Sequence, residues 1–229
     1  MTTQISTFSE IANAFHGGGM WMYAILIVQI VAVAIVVERF LTLFVLRSKN
    51  QKKILMTYEE DIKQGRLDKV IAKAGSMAQD HAVAAVIWAG AQAAHNMGGK
   101  DEVQFKMDEI LASENSRLER RTGFLAMLAN VATLLGLLGT IVGLIQAFAS
   151  VANMNAAEKS IQLTQGVALA MNTTAYGLIV AIPALILYAV LVNRTNHLQE
   201  DLNQAAFKAF NWLSFSYDST SKKVNRAYN

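Results

Sequence analysis

Between Phe124 and Val151, the residues Thr133, Gly136, Thr140, Gly143 and Ala147 recur at spacings of three and four. Between Leu163 and Val192, Ala170, Thr174, Gly177, Ala181 and Ala184 repeat the pattern. On a helix each set forms one stripe of small, partly hydroxylated side chains. Two kinds of chemistry suit such stripes. Small residues let helix backbones approach closely in lipid, and Gly139 with Gly143 makes a small-xxx-small pair. The hydroxyls of Thr140 and Thr174 and the amide of Asn172 also suit the wall of a narrow wet path, because polar groups facing lipid alone are costly. Neither stretch contains Asp, Glu, Lys or Arg. A proton path across a membrane usually needs a titratable group at depth, so a path walled by these residues must take its ion carrier from a partner. The cluster Asn172, Thr173, Thr174, Tyr176 would then hydrate the partner's ionisable side chain without competing with it.

The elements that carry the stripes follow from composition. Of 229 residues, 53% are hydrophobic and 16% charged, and the mean hydropathy is positive, which is unusual for a soluble domain. Three apolar blocks, Met20 to Leu46, Phe124 to Val151 and Leu163 to Val192, each exceed the roughly 20 residues that cross about 30 Å of hydrocarbon as a helix. No segment reads as a strand ladder, so the fold class is an all-α membrane protein with three transmembrane helices, two of them extended into a cytoplasmic helical bundle. The expected division is an outer interfacial helix over 1–19, span one over 20–46, a cytoplasmic helical region over 47–123, span two over 124–151, an outer loop over 152–162, span three over 163–193, and a C-terminal cytoplasmic helix and tail over 194–229. Span three should extend through Ser214, with the chain frayed from Tyr217.

Charge orients the spans. Thirteen Lys and Arg lie between Arg47 and Arg121 and five at or after Arg194, whereas Met1 to Gly19 has none. Basic residues collect on the cytoplasmic side, which puts the N-terminus outside and the C-terminus inside. Ile5, Phe8, Ala12 and Phe15 predict a short amphipathic helix on the outer surface. Gly65 marks a break in the intracellular part, Ala78 to Met97 reads as an Ala-rich helix, and no Pro or Gly interrupts the pattern from Asp101 to Gly123. The last segment is therefore expected to run as one helix into span two. Pro183, the only Pro, should kink span three and free the carbonyl of Ile179. Glu38 and Arg39 are the only charges in the first block. Snorkelling or a local ion pair is the plainer role for them; fixing a neighbouring subunit or a docking helix is the other.

Enzymatic chemistry finds no footing. The four His are scattered without ligand spacing, there is no phosphate-binding Gly-Lys-Ser/Thr loop, and neither metal nor cofactor is expected. The net charge of +3 reflects the inner-leaflet bias and does not call for nucleic acid.

Three stretches carry a resemblance. "LLGLLGTIVGLIQAF" at Leu134 to Phe148, "NTTAYGLIVAIPA" at Asn172 to Ala184 and "ERFLTL" at Glu38 to Leu43 resemble signatures of the MotA/TolQ/ExbB family of proton-channel and motor subunits. The likeness covers nearly the whole chain. It implies a homopentamer in the bacterial inner membrane around two copies of a single-span partner of the ExbD/TolR/MotB kind, whose membrane Asp takes up and releases protons. It also implies that Thr140 and Thr174 are pore-facing. Leu169 and Thr133 stand where the ExbB and TolQ branches carry Glu and Pro, so the branch, and proton against sodium, stay open. A non-conducting membrane scaffold is the alternative, whereas a solute transporter is disfavoured by the lack of inverted repeats or broken spans.

Overall fold

The computed structural model describes residues 19–46, 51–96, 99–152 and 154–227. The expected outer helix with Ile5, Phe8, Ala12 and Phe15 lies outside them. The described residues form helices and turns and no strand. In chain order the helices are α1 (Met20–Phe40), α2 (Gln51–Lys63), α3 (Leu67–Met77), α4 (Ala82–His95), α5 (Lys100–Glu119), α6 (Thr122–Ser150) and α7 (Ala156–Ala227), with a π-helical stretch, Leu41–Leu46, directly after α1. Three of the helical stretches are long and apolar enough to cross a membrane. This is an all-α membrane protein.

Local chemistry explains where several helices start and stop. Gly65 adopts φ 71°, the left-handed conformation that glycine takes without a Cβ penalty, and Arg66 N–H returns to the Asp61 carbonyl at 3.0 Å, which ends α2 in a Schellman turn. The Arg66 guanidinium adds bonds to Asp61 Oδ1 at 2.9 and 2.5 Å. Asn155 caps α7, its Oδ1 accepting from the Glu158 N–H at 3.0 Å, as a side-chain cap at a helix start should. The Ala-rich helix expected over Ala78 to Met97 occupies Ala82–His95, a turn having taken residues 78–80.

The chain divides into two compact units. The first comprises residues up to Arg39 together with Arg121–Leu191; the second comprises Phe40–Arg120 and Val192 onward. In the first, large apolar side chains face outward along the helices, among them Ile27, Val33, Leu137, Ile145 and Ile186, as suits helices that meet lipid or further protein and not water. The second has a conventional core of Tyr58, Ile62, Val70, Ile87, Met107 and Leu202. Its centre is α4, which buries residues on nearly every side. Gly90 allows α5 to come close, since a Cβ there would lie 2.7 Å from Met107 Cγ. The Tyr58 hydroxyl donates to Met77 Sδ at 3.4 Å, and burial pushes its pKa up.

Two expectations need correction. The helix from Asp101 does not run unbroken into span two: α5 ends at Glu119 and α6 begins at Thr122. Arg121, with φ 64°, takes a left-handed conformation, and a single residue there ends an α-helix. Nor does the last helix fray at Tyr217; it continues to Ala227, with no Gly or Pro after Pro183 to stop it. Pro183 itself sits inside α7, exposed.

Candidate functional site

The two small-residue stripes face each other. Gly136 on α6 lies against α7 so closely that a Cβ there would stand 3.1 Å from the Thr173 carbonyl oxygen and 3.2 Å from Thr174 Cα. Gly177 meets the α6 backbone in turn, with 2.7 Å to the Ala132 carbonyl oxygen and 3.1 Å to Gly136 Cα. Further along the seam Gly143 opposes Ala170, 2.9 Å to its Cβ. Bare backbone at these positions is what lets two helices approach this closely.

The close approach brings two hydroxyls together. Thr140 Oγ1 and Thr174 Oγ1 are in direct hydrogen-bond contact. Thr140 Oγ1 also lies 3.2 Å from the Gly136 carbonyl and 3.1 Å from that of Ala170, while Thr174 Oγ1 lies 3.0 Å from the Gly136 carbonyl. Two hydroxyl protons therefore serve four contacts, and they cannot be donated to all at once. Whichever arrangement holds, an oxygen lone pair is left over that can accept from a protonated carboxyl or help to coordinate a cation. The pair itself carries no group that titrates near neutrality.

The other residues expected at the site divide. Gly136, Gly143, Ala170 and Gly177 are in the seam that holds the pair. Thr133 Oγ1 bonds its own helix, donating to the Ala129 carbonyl at 3.2 Å, as a mid-helix threonine does. Asn172 is half-buried and does not join the two hydroxyls. Glu38 is engaged elsewhere: Nη1 of Arg121 donates to both its carboxylate oxygens at 2.7 Å. Arg39 is 3% exposed.

Three features were not read from sequence, the first being a partner within the chain for Tyr176 of the polar cluster. Tyr176 donates its hydroxyl to Gln29 Oε1, joining span three to span one across residues far apart in sequence. The signal was available, since Gln29 is the only strongly polar side chain between Met20 and Val37 and such groups in apolar runs find partners. Second, a cavity of about 530 Å³ opens beside the seam, lined by Trp21, Gln146, Ser150, Gln162, Ala170 and Thr173 among others. Third, Arg121 pairs with Glu38 at the start of α6. For the first of these, Tyr176→Phe and Gln29→Leu are each expected to cost about 0.6–2 kcal/mol of resistance to unfolding in denaturing detergent, the usual range for interhelical hydrogen bonds in membranes. The double variant should cost less than the sum of the two, since neither partner is then left alone.

Comparison with known proteins decides the family. The profile of the MotA/TolQ/ExbB proton channel family matches residues 78–204, more than half of the chain. The chain belongs to this family. It is similar to the biopolymer transport protein ExbB of Salmonella typhimurium, 24% identical over 205 residues, 82% of each chain. It also matches the ExbB of Pseudomonas putida, 27% identical over 121 residues, 53% of this chain and 36% of the relative. The Tol-Pal system protein TolQ of Haemophilus influenzae is 36% identical over 96 residues, 42% of this chain and 41% of that protein. Residues 78–204, matched by the family profile, contain both stripes.

Proposed function

We propose that this chain is the channel-forming subunit of an ion-driven motor in a bacterial inner membrane, with its N-terminus periplasmic and its charged helices cytoplasmic. Five copies surround two copies of a single-span partner of the ExbD/TolR/MotB kind. A membrane Asp of the partner carries the ion past a wall formed by α6 and α7, and its neutralisation and recharging shift the pentamer against the partner. The observation that carries this reading is the Thr140–Thr174 hydroxyl pair within two spans that hold no charged residue. The wall offers hydrogen bonds to a carrier yet contains no competing acid or base, and family membership supports the same role.

The close packing of Gly136 and Gly177 within a single chain is what favours the alternative, a scaffold that holds a partner and conducts nothing. Reconstitution separates the two. Vesicles holding this chain with its single-span partner are expected to pass protons or sodium under an imposed gradient, and Asp→Asn in the partner's span should abolish the flux while the complex still co-purifies. Absence of flux from an intact complex would leave the scaffold, and flux indifferent to that substitution would overturn the Asp-borne path.

A further inference from the structure

From Lys100 to Ser150 the chain has no proline, and its first glycine is Gly123, so its intrinsic preference is one continuous helix. The break nevertheless falls at Arg120 and Arg121. Arg120 has φ −49°, ψ 133°, and Arg121 φ 64°, ψ −12°. These are the central dihedrals of a type II turn, whose third position requires a positive φ and normally takes Gly or Asn. Arg121 is the only non-glycine with positive φ among the described residues, although Gly123 is two residues away and lies in helix with open space around it. Local sequence therefore does not choose Arg121 as the breaking point.

A tertiary contact does. The Arg121 guanidinium reaches Glu38 on α1, and Nη1 lies 2.7 Å from both carboxylate oxygens. Both side chains are close to half exposed, and an ion pair of that kind is weak, of the same order as the penalty on a left-handed L-residue. A further mark of balance is Thr122. It is 3% exposed, and its Oγ1 has no hydrogen-bond partner, whereas in a continuous helix that hydroxyl could donate to the carbonyl four residues back, at Leu118.

We propose that Glu38 and Arg121 form a latch on a two-state backbone. With the pair made, Arg121 is left-handed and α5 and α6 are separate helices. With the pair broken, residues 119–124 join them into one. Glu38 acts as a positioning residue, because it decides the backbone conformation of Arg121 at the head of the span that carries Thr140. The latch does not rest on the ion-path reading.

Hydrogen exchange on the full chain in lipid nanodiscs, followed over residues 119–125, tests it. With the pair made and the helices separate, the first N–H groups of α6 have no helical carbonyl behind them and exchange fast. Glu38→Gln should slow them by up to about fivefold, the most that losing a half-exposed ion pair can shift the two states. Arg121→Ala should slow them likewise. Arg121→Gly should keep them fast, and should do so even combined with Glu38→Gln, because glycine accepts positive φ unaided. Slow exchange over residues 130–140 in every variant confirms an intact span. Wild-type exchange in both Glu38→Gln and Arg121→Ala would overturn the latch, and so would Arg121→Gly behaving like Arg121→Ala.

Discussion

Thr140→Val and Thr174→Val are each expected to cut ion flux by about five- to 150-fold while the complex still assembles. Valine is close to threonine in shape but lacks the hydroxyl, and each hydroxyl here is held by backbone carbonyls and by its counterpart. Where the pair hydrogen-bonds a carrier in a low-dielectric path, deleting one member costs about 1–3 kcal/mol at the protonation step, and 1.4 kcal/mol is a factor of ten in rate. Thr→Ser at either position should be far milder, since the oxygen and its proton survive. The double Val variant should not multiply the two losses, because the hydroxyls act as one unit. The measurement is flux in vesicles holding this chain and its partner, with co-purification as the assembly control. Equal flux for wild type, Ser and Val would remove Thr140 and Thr174 from the path and leave them as packing residues.

The second large effect is expected at Gly177. An alanine Cβ there would stand 2.7 Å from the Ala132 carbonyl oxygen and 3.1 Å from Gly136 Cα. Neither atom belongs to a side chain that can swing away, so the two helix backbones must separate. Overpacking of this kind costs about 1–3 kcal/mol, and Gly177→Val should cost more than Gly177→Ala. Gly136→Ala meets the same seam at 3.1 Å from the Thr173 carbonyl and should be destabilising in the same sense. Gly123→Ala is the control: nothing lies within 4 Å of its Cβ position, and the change should be neutral or slightly stabilising through helix propensity, by up to about 1 kcal/mol. Midpoints of unfolding in denaturing detergent give the order. Because Gly177 and Thr174 share a face of α7, Gly177→Val should also part the hydroxyls and lower flux, whereas Gly123→Ala should leave flux unchanged. A Gly177→Val protein as stable as wild type would mean that the seam is not as close as the geometry makes it.

What this sequence determined by itself is what each segment can encode alone. The length and apolarity of Met20 to Leu46, Phe124 to Val151 and Leu163 to Val192 specify helices that cross lipid, because the cost of moving a segment into hydrocarbon depends on that segment's composition. Gly65 and Asn155 punctuate helices through their own conformational and capping preferences. The existence of the two stripes was legible too, since spacings of three and four put residues on one face whatever lies opposite. Tertiary structure alone decided the register between the stripes. It placed Gly136 against Thr174 and thereby joined the hydroxyl of Thr140 to that of Thr174, because helical period says which residues share a face and not which residue on another helix they meet. The pairing of Tyr176 with Gln29 was undecided in sequence for the same reason. Tertiary structure also placed the break at Arg121. There a weak ion pair to a residue 83 positions earlier in the chain outweighs a local preference for helix, and no reading confined to neighbouring residues contains that term.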